Sequence, residues 1–296
     1  MSYRRSTESA EPILDALQIA SEAIKHAEPI RGVPSGVEGL DDLFYIAEFE
    51  NGRPVRRNLG GYPQGAVVNL TGVPDTGKSL MGEQFAVKQA SLGNPILFVT
   101  VETPAPFVSQ SLEFRANAMG LPWKEMQDSI YLLDAARRSQ LREDLPSLLT
   151  TMAYAYKQHR IRHTVIDSVT GLYEAREIMA RGIVREVYNL MKQWHQTAIL
   201  ITQKRSAQEE TSAEAAGGYA VGHIVDCTIV LSKHLIERAY EEKIYKAALG
   251  EVVRTIRIDG CRLSGHDQST HILEISDLGL VKVGPPLSTI YSSDTK

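Results

Sequence analysis

The stretch Gly72-Val73-Pro74-Asp75-Thr76-Gly77-Lys78-Ser79 fits G-x-x-x-x-G-K-[ST], the pattern of a phosphate-binding loop. Each residue type has a physical reason. The glycines let backbone N–H groups close around phosphate oxygens. Lys78 reaches the β- and γ-phosphates, and the Ser79 hydroxyl is suited to hold Mg²⁺. The pattern needs a strand before it and a helix after it. Ala66-Val67-Val68-Asn69-Leu70 reads as a buried strand. Residues 79–90 read as a helix with Leu80, Met81, Phe85 and Ala86 on its inward stripe. The expected ATP contacts are therefore Gly72, Val73, Pro74, Asp75, Thr76, Gly77, Lys78, Ser79 and Leu80.

Outward from this loop, apolar strands alternate with amphipathic helices. Strands are predicted near 66–70, 96–101, 130–133, 163–167 and 197–202. Such alternation predicts an α/β fold, with a mostly parallel central sheet covered by helices on both faces. After about residue 224 the pattern becomes strands joined by turns, at 224–232, 252–259, 271–275 and 280–283, which predicts an antiparallel C-terminal extension. The charged segment 236–250 between them reads as a helical or loop excursion. Asn51-Gly52, flanked by strand-like Ala47-Glu48-Phe49 and Pro54-Val55, predicts a surface hairpin inserted at about 45–59. Residues 1–10 read as disordered. Residues 11–27 read as a helix with Ile13, Leu17, Ala20 and Ile24 on one face. The division expected is an N-terminal helical extension (1–28), an ATPase domain (29–285) and a flexible polar tail (286–296).

Phosphoryl transfer to water needs a Mg²⁺ carboxylate, a group that handles the water, and positive charge at the γ-phosphate. Candidates stand at strand ends, where open α/β sheets bind ligands. His163-Thr164-Val165-Ile166-Asp167 is an apolar strand ending in Asp, the Walker B form, so Asp167 joins Ser79 as the expected metal pair. Ile96-Leu97-Phe98-Val99-Thr100-Val101-Glu102 ends in Glu102, a carboxylate placed to polarise water. Gln203 follows the strand of residues 197–202. It reads either as an amide that senses the γ-phosphate or as an ordinary loop residue.

Composition removes several function classes. The chain has 296 residues, 43% of them hydrophobic, which is enough for a globular core. Net charge is −4 and the pI about 6.1, which is no electrostatic attraction to DNA or anionic membrane. The two cysteines, Cys227 and Cys261, support neither a disulfide framework nor a zinc site. No apolar run reaches membrane-spanning length and the first residues are polar, so the expectation is a cytoplasmic protein without membrane association.

Further motifs carry a resemblance. Gly39-Leu40-Asp41-Asp42-Leu43 and Gly60-Gly61-Tyr62-Pro63-Gln64-Gly65 precede the phosphate-loop strand. Phe98-Val99-Thr100-Val101-Glu102-Thr103 follows, and Arg262-Leu263-Ser264-Gly265-His266 stands near the end. Over about residues 30–285 the chain resembles the RecA-like P-loop ATPases and, within them, the KaiC-type branch. The resemblance implies a RecA-like fold, Mg²⁺-dependent ATP hydrolysis and head-to-tail assembly into a ring, with a hexamer among the candidates, or a filament. It implies that Glu102 is the catalytic carboxylate. The branch's second acidic position is Thr103 here. It also implies that Arg262 points into the next subunit's ATP site as a catalytic arginine. The alternative is a surface salt bridge. The branch's lysine of K-x-R-G-x-x-H is replaced by Gly260. Ile201-Thr202-Gln203-Lys204-Arg205 resembles the sensing strand of RecA, and Gly217-Gly218-Tyr219 resembles the Gly-Gly stretch after the recombinase DNA-binding loop.

Three functions compete. The first is an oligomeric ATPase whose nucleotide state switches its interaction with a protein partner that the sequence does not identify. The second is a recombinase-like or DNA-repair accessory ATPase that binds single-stranded DNA. In the loop a recombinase would use, Lys204 and Arg205 stand against Glu209, Glu210 and Glu214, and no aromatic precedes Tyr219, so this reading ranks second. The basic run from His159 to His163 reads as a solvated helix end. The third is an autokinase. It ranks last, because Gly222-His223 precedes Ile224-Val225-Asp226 where the family's phosphorylated domain has a Ser-Thr pair.

Overall fold

The computed structural model describes residues 12–26, 29–204 and 221–292. Residues 1–30 and 31–296 form two separate units. In the first, the helix predicted over 11–27 is broken into single turns at Leu14–Ala16, Ala20–Ala23 (α1) and Ile24–His26. Neither Ile13 nor Ile19, at the starts of the first two turns, supplies a side-chain cap. Ile13, Leu17 and Ile24 are all at least 70% exposed. A helix this short draws its stability from burying its apolar face, and here that face is not buried. The expected disorder of residues 1–10 lies outside the described residues.

The second unit begins with Gly32–Val33 (β1), then Phe44–Glu50 (β2) and Arg53–Asn58 (β3), then Tyr62–Pro63 (β4), which pairs with β1. β2 and β3 form a hairpin around Asn51 and Gly52, both at positive φ, where Asn and Gly are the tolerant residues. Arg57 pairs with Glu48 across the ladder at 2.6 Å, and Arg56 lies over the Tyr45 ring.

The large sheet follows. Its strands are Val67–Gly72 (β5), Ile96–Thr100 (β6), Ile130–Asp134 (β7), His163–Asp167 (β8), Thr197–Gln203 (β9), Cys227–Leu235 (β10) and Val252–Cys261 (β11). The short Gly265–His266 (β12) pairs instead with β2, and His271–Ile275 (β13) and Val281–Pro286 (β14) complete the large sheet. The order is β14-β13-β11-β10-β5-β9-β8-β6-β7. Neighbours from β10 to β7 run parallel, and β11, β13 and β14 run antiparallel. β10 is the junction. Sequence reading placed it in the antiparallel extension, yet it also pairs in parallel with β5, Cys227 opposite Val68.

The helices are Lys78–Ser91 (α2), Ala105–Ala118 (α3), Trp123–Met126 (α4), Ser139–Glu143 (α5), Leu145–His159 (α6), Thr170–Tyr173 (α7), Ala180–Gln193 (α8), Ala239–Tyr245 (α9) and Leu287–Ser292 (α10). Alternate residues of each parallel strand feed opposite cores. Val68, Leu70, Phe98, Val165 and Ile199 pack with Met81 and Phe85 of α2 and Leu112 of α3. Val67, Leu97, Val99, Ile166 and Leu200 pack with Met152 of α6 and Val187 of α8. Burial on both faces is why the strands read as continuous apolar runs. No described helix is long and apolar enough to cross a membrane.

The C-terminal end departs from the expected polar tail. Leu287 and Ile290 stand three apart, so one turn of helix puts them on one side. Ile290 lines a cavity with Tyr245, Val253 and Ile272, and Leu287 N–H donates to the Thr270 carbonyl at 2.8 Å. The hydroxyl-rich sequence obscured that spacing.

Two polar anchors fix α2, and with it the phosphate loop. Gln84 donates to the Gly36 and Val281 carbonyls and accepts from Val281 N–H at 2.6 Å. Glu83 accepts from Arg115 at 3.1 Å and from Ser111 at 2.6 Å, while Arg115 also donates to the Leu278 and Gly279 carbonyls. Glu83 and Arg115 are both buried, so removing the cation strands a buried carboxylate. Arg115→Ala is expected to destabilise the fold by about 3–5 kcal/mol, measured as a shift of the denaturant midpoint. A shift within about 0.5 kcal/mol, typical of a surface site, would contradict this.

Candidate active site

The sheet order brings the candidate residues to one edge. β5 ends at Gly72, opposite Gln203 of β9, and β8 ends at Asp167, opposite Thr100 of β6. Glu102 follows β6 by two residues. A cavity of about 360 Å³ is lined by Lys78, Ser79, Glu102, Asp167 and Gln203, with Phe107 and Ser111 contributed by α3.

The loop's shape follows from its residues. A Cβ on Gly72 would stand 2.5 Å from the Leu231 carbonyl oxygen, so the strand-to-loop junction needs glycine. Gly77 has φ +94° and begins α2 without a side-chain cap. The first N–H groups of this helix are thus free to face an anion. Lys78 Nζ donates to the Val73 carbonyl at 2.7 Å and Thr76 Oγ1 to the same oxygen at 2.9 Å, which folds the lysine back across its own loop.

Asp75 also has positive φ, +64°, at a cost of about 1 kcal/mol for a residue with a Cβ. Arg254 of β11 holds it, donating from Nη2 to the carboxylate at 2.9 Å and from Nε to the backbone carbonyl at 3.0 Å. Lys233 of β10 stands 3.6 Å from the same carboxylate. Sequence reading missed both cations. Neither lies in a motif, and only the strand order β11-β10-β5 reveals that they reach the loop.

Glu102 is held by two partners. The Ser168 hydroxyl donates to its carboxylate, and the Gln203 amide donates to both oxygens, at 3.1 and 3.3 Å. Glu102 and Gln203, at the ends of two different strands, therefore touch. Ser168, the residue after Asp167, was not foreseen. Gln203 N–H in turn donates to the Thr170 hydroxyl at 3.0 Å.

Burial sets the electrostatics. It pushes the Asp167 carboxyl up to about 6, against the lowering effect of a hydrogen bond with the Ser79 hydroxyl. It pushes the Lys78 ammonium down to about 8, against the attraction of Asp167 and Glu102. Both charged forms are short of compensation, which a Mg²⁺ ion and a polyphosphate would supply. Ser79 and Asp167 are the hard oxygen donors Mg²⁺ takes, and their mutual hydrogen bond puts them within reach of one ion. The residues present fit the group.

A pH dependence follows. A Mg²⁺ ion there would favour ionised Asp167, so affinity should fall as pH drops through about 6 and the carboxylate takes a proton. Bound phosphate favours charged Lys78, so affinity falls as pH rises through about 8 and the lysine loses one. Mg²⁺·ATP affinity, measured by equilibrium titration across this range, is expected to peak between those values. A profile that stays flat through both would contradict the pairing.

Arg262 is not brought to this cavity. It follows β11 and lines a separate cavity of about 310 Å³ with His223, Asp226, Cys227, Gly260 and Cys261. Its guanidinium donates to the His223 carbonyl at 2.7 Å. The segment from Arg205 to Ala220, which contains most of the loop weighed for DNA binding, lies outside the described residues.

Comparison with known proteins bears on this arrangement. The family model described as "ATPase: KaiC" matches residues 33–288. A UPF0273 protein of Thermotoga maritima is 24% identical over 85% of the chain and 96% of its own length. The circadian clock oscillator protein KaiC of Thermostichus vulcanus is 29% identical over 59% of the chain, which spans 32% of that longer protein. The solved structure of a KaiC-like protein from Pyrococcus horikoshii superposes with a TM-score of 0.65 at 23% identity, covering 87% of this chain and all of the other. That likeness concerns the fold.

Proposed function

This chain belongs to the KaiC ATPase family, and from that premise we propose that it binds Mg²⁺·ATP at the strand ends of its sheet and hydrolyses it slowly. The observation that carries the reading is the convergence of Lys78, Ser79, Glu102, Asp167 and Gln203 on one cavity. Loop N–H groups and Lys78 bind the β- and γ-phosphates. Ser79 and Asp167 would hold the metal, which when bound would neutralise charge developing on the phosphates.

Glu102 takes the proton of the attacking water or orients it. Ser168 and Gln203 fix the carboxylate for that task. Because the Gln203 amide already contacts Glu102, a γ-phosphate that draws the amide away would move the base as well. Sensing and chemistry then share one amide–carboxylate contact. Turnover is slow for two reasons of composition. Thr103 adds no second carboxylate, and Gly260 adds no cation. Autophosphorylation is not part of the proposal, since Gly222-His223 offers no hydroxyl before Ile224-Val225-Asp226.

The remaining cation comes from a second copy. Arg262 sits away from its own chain's phosphate loop, in the cavity with His223. Head-to-tail packing would let it serve a neighbour's ATP, closing a ring or extending a filament. ATP then stabilises the assembly by bridging subunits, and its hydrolysis loosens the contact that a protein partner reads. In this reading residues 29–285 are the ATPase domain, and residues 1–28 are an extension to it.

The test is a mixture. Arg262→Ala and Lys78→Ala are each expected to be inactive alone. Mixed, they should regain ATPase activity at interfaces that join an intact loop to an intact arginine. No recovery in mixtures shown to co-assemble, or normal hydrolysis by Arg262→Ala alone, would contradict the shared site.

A further inference from the structure

The cavity beside Arg262 holds the chain's two cysteines, and the ladder between β10 and β11 places them with some definition. Cys227 and Cys261 are direct cross-strand partners. The next pair outward, Asp226 and Arg262, is joined by one backbone hydrogen bond, with Arg262 N–H donating to the Asp226 carbonyl at 2.8 Å. In an antiparallel ladder hydrogen-bonded and non-hydrogen-bonded pairs alternate, so Cys227 and Cys261 form a non-hydrogen-bonded pair. In such a pair the Cα atoms are about 4.5 Å apart and the side chains lie closest. A disulfide accepts Cα separations of about 4.4–6.8 Å. Both thiols line the same cavity and pack against the same core.

The two sulfurs have different access. Cys227 is 1% exposed, while Cys261 is partly exposed and its sulfur lies 3.3 Å from the Ser264 hydroxyl. The hydrogen bond with Cys227 and those around Ser264 bring the Cys261 thiol down to about 6, whereas Cys227 is pushed up. One sulfur is accessible and thiolate-forming, and the other is buried behind it. That is the division between an attacking and a resolving cysteine.

We propose that Cys227 and Cys261 are a redox-active dithiol, oxidised by a hydroperoxide to a reversible cross-strand disulfide that pins the segment carrying Arg262. The Cys261 thiolate attacks one peroxide oxygen. The O–O bond breaks, a sulfenic acid forms, and the departing hydroxide takes a proton to become water. The Cys227 sulfur then attacks the sulfenic sulfur. The S–O bond breaks, the S–S bond forms, and the leaving hydroxide takes the Cys227 proton as a second water. Two thiols are oxidised and one hydrogen peroxide is reduced to two waters. A dithiol reductant restores the pair by exchange at Cys261, the sulfur it can reach. A reversible bridge of this kind is compatible with a reducing compartment, where disulfides are transient and sensory. The proposal rests on the strand register and is independent of nucleotide binding.

The experiment treats the full chain with hydrogen peroxide, then quantifies free thiols and maps peptides by mass spectrometry without reduction. The expected result is joint loss of both thiols in the monomeric chain, a cross-linked peptide pair joining Cys227 to Cys261, and full recovery with dithiothreitol. Cys227→Ser should leave Cys261 as a sulfenic acid that a dimedone probe traps, and Cys261→Ser should leave Cys227 unreacted. Oxidation of Cys261 alone in the unaltered chain, or a bridge only between chains, would overturn the proposal. The unaltered chain decides the matter even if the buried Cys227→Ser variant fails to fold.

Discussion

Lys78→Ala is expected to abolish nucleotide binding or nearly so. The lysine is the buried cation of the cavity, folded onto the Val73 carbonyl, and no other loop residue carries positive charge. Lys233 and Arg254 stand nearby, but both are engaged with Asp75 on the rim. They cannot replace an ammonium beneath the β- and γ-phosphates without releasing that carboxylate. The loss should exceed that of a surface ion pair, because a charge-assisted contact made by a buried ammonium is screened less by solvent. Equilibrium binding of a fluorescent ATP analogue checks it. The same variant should stay folded, since its alanine removes a buried charge that burial already disfavours. If a folded Lys78→Ala binds nucleotide as the unaltered chain does, the loop is not the phosphate site.

Glu102→Gln is expected to keep ATP binding and to lower hydrolysis on the order of 10²-fold or more, the loss expected when a general base is removed. The amide has the same shape and still accepts from Ser168 and Gln203 through its oxygen. It cannot take a proton at neutral pH. Thr103 beside it is no substitute, because a hydroxyl is a poor base. Single-turnover hydrolysis separates the chemical step from release. Unchanged turnover would make Glu102 a rim residue and leave Gln203 without its proposed link to the chemistry.

The parts of the site legible in the sequence are those whose spacing is local. Residues 72–79 place the loop, and the apolar runs that end in Asp167 and Gln203 place two strand ends. The parallel sheet was legible because burial on both faces leaves uninterrupted apolar strands. What was illegible depends on lateral strand order, which no local pattern encodes. Lys233 and Arg254 reach Asp75 only because β10 and β11 lie beside β5. Ser168 reaches Glu102 only because β8 lies beside β6. The helix predicted over 11–27 failed for the converse reason. Its period was right, but Ile13, Leu17 and Ile24 stay exposed among the described residues. α10 was missed because Leu287 and Ile290 were hidden among hydroxyl residues.

The central claim is that one Mg²⁺-dependent ATP site is built from this loop and these strand ends. Titration calorimetry of the unaltered chain with ATP, with Mg²⁺ present and then with the metal chelated, tests it most directly. The account predicts one nucleotide per chain, bound tightly with Mg²⁺ and weakened when the ion assigned to Ser79 and Asp167 in this proposal is withdrawn. Absence of saturable binding, or binding of equal strength after chelation, would contradict it.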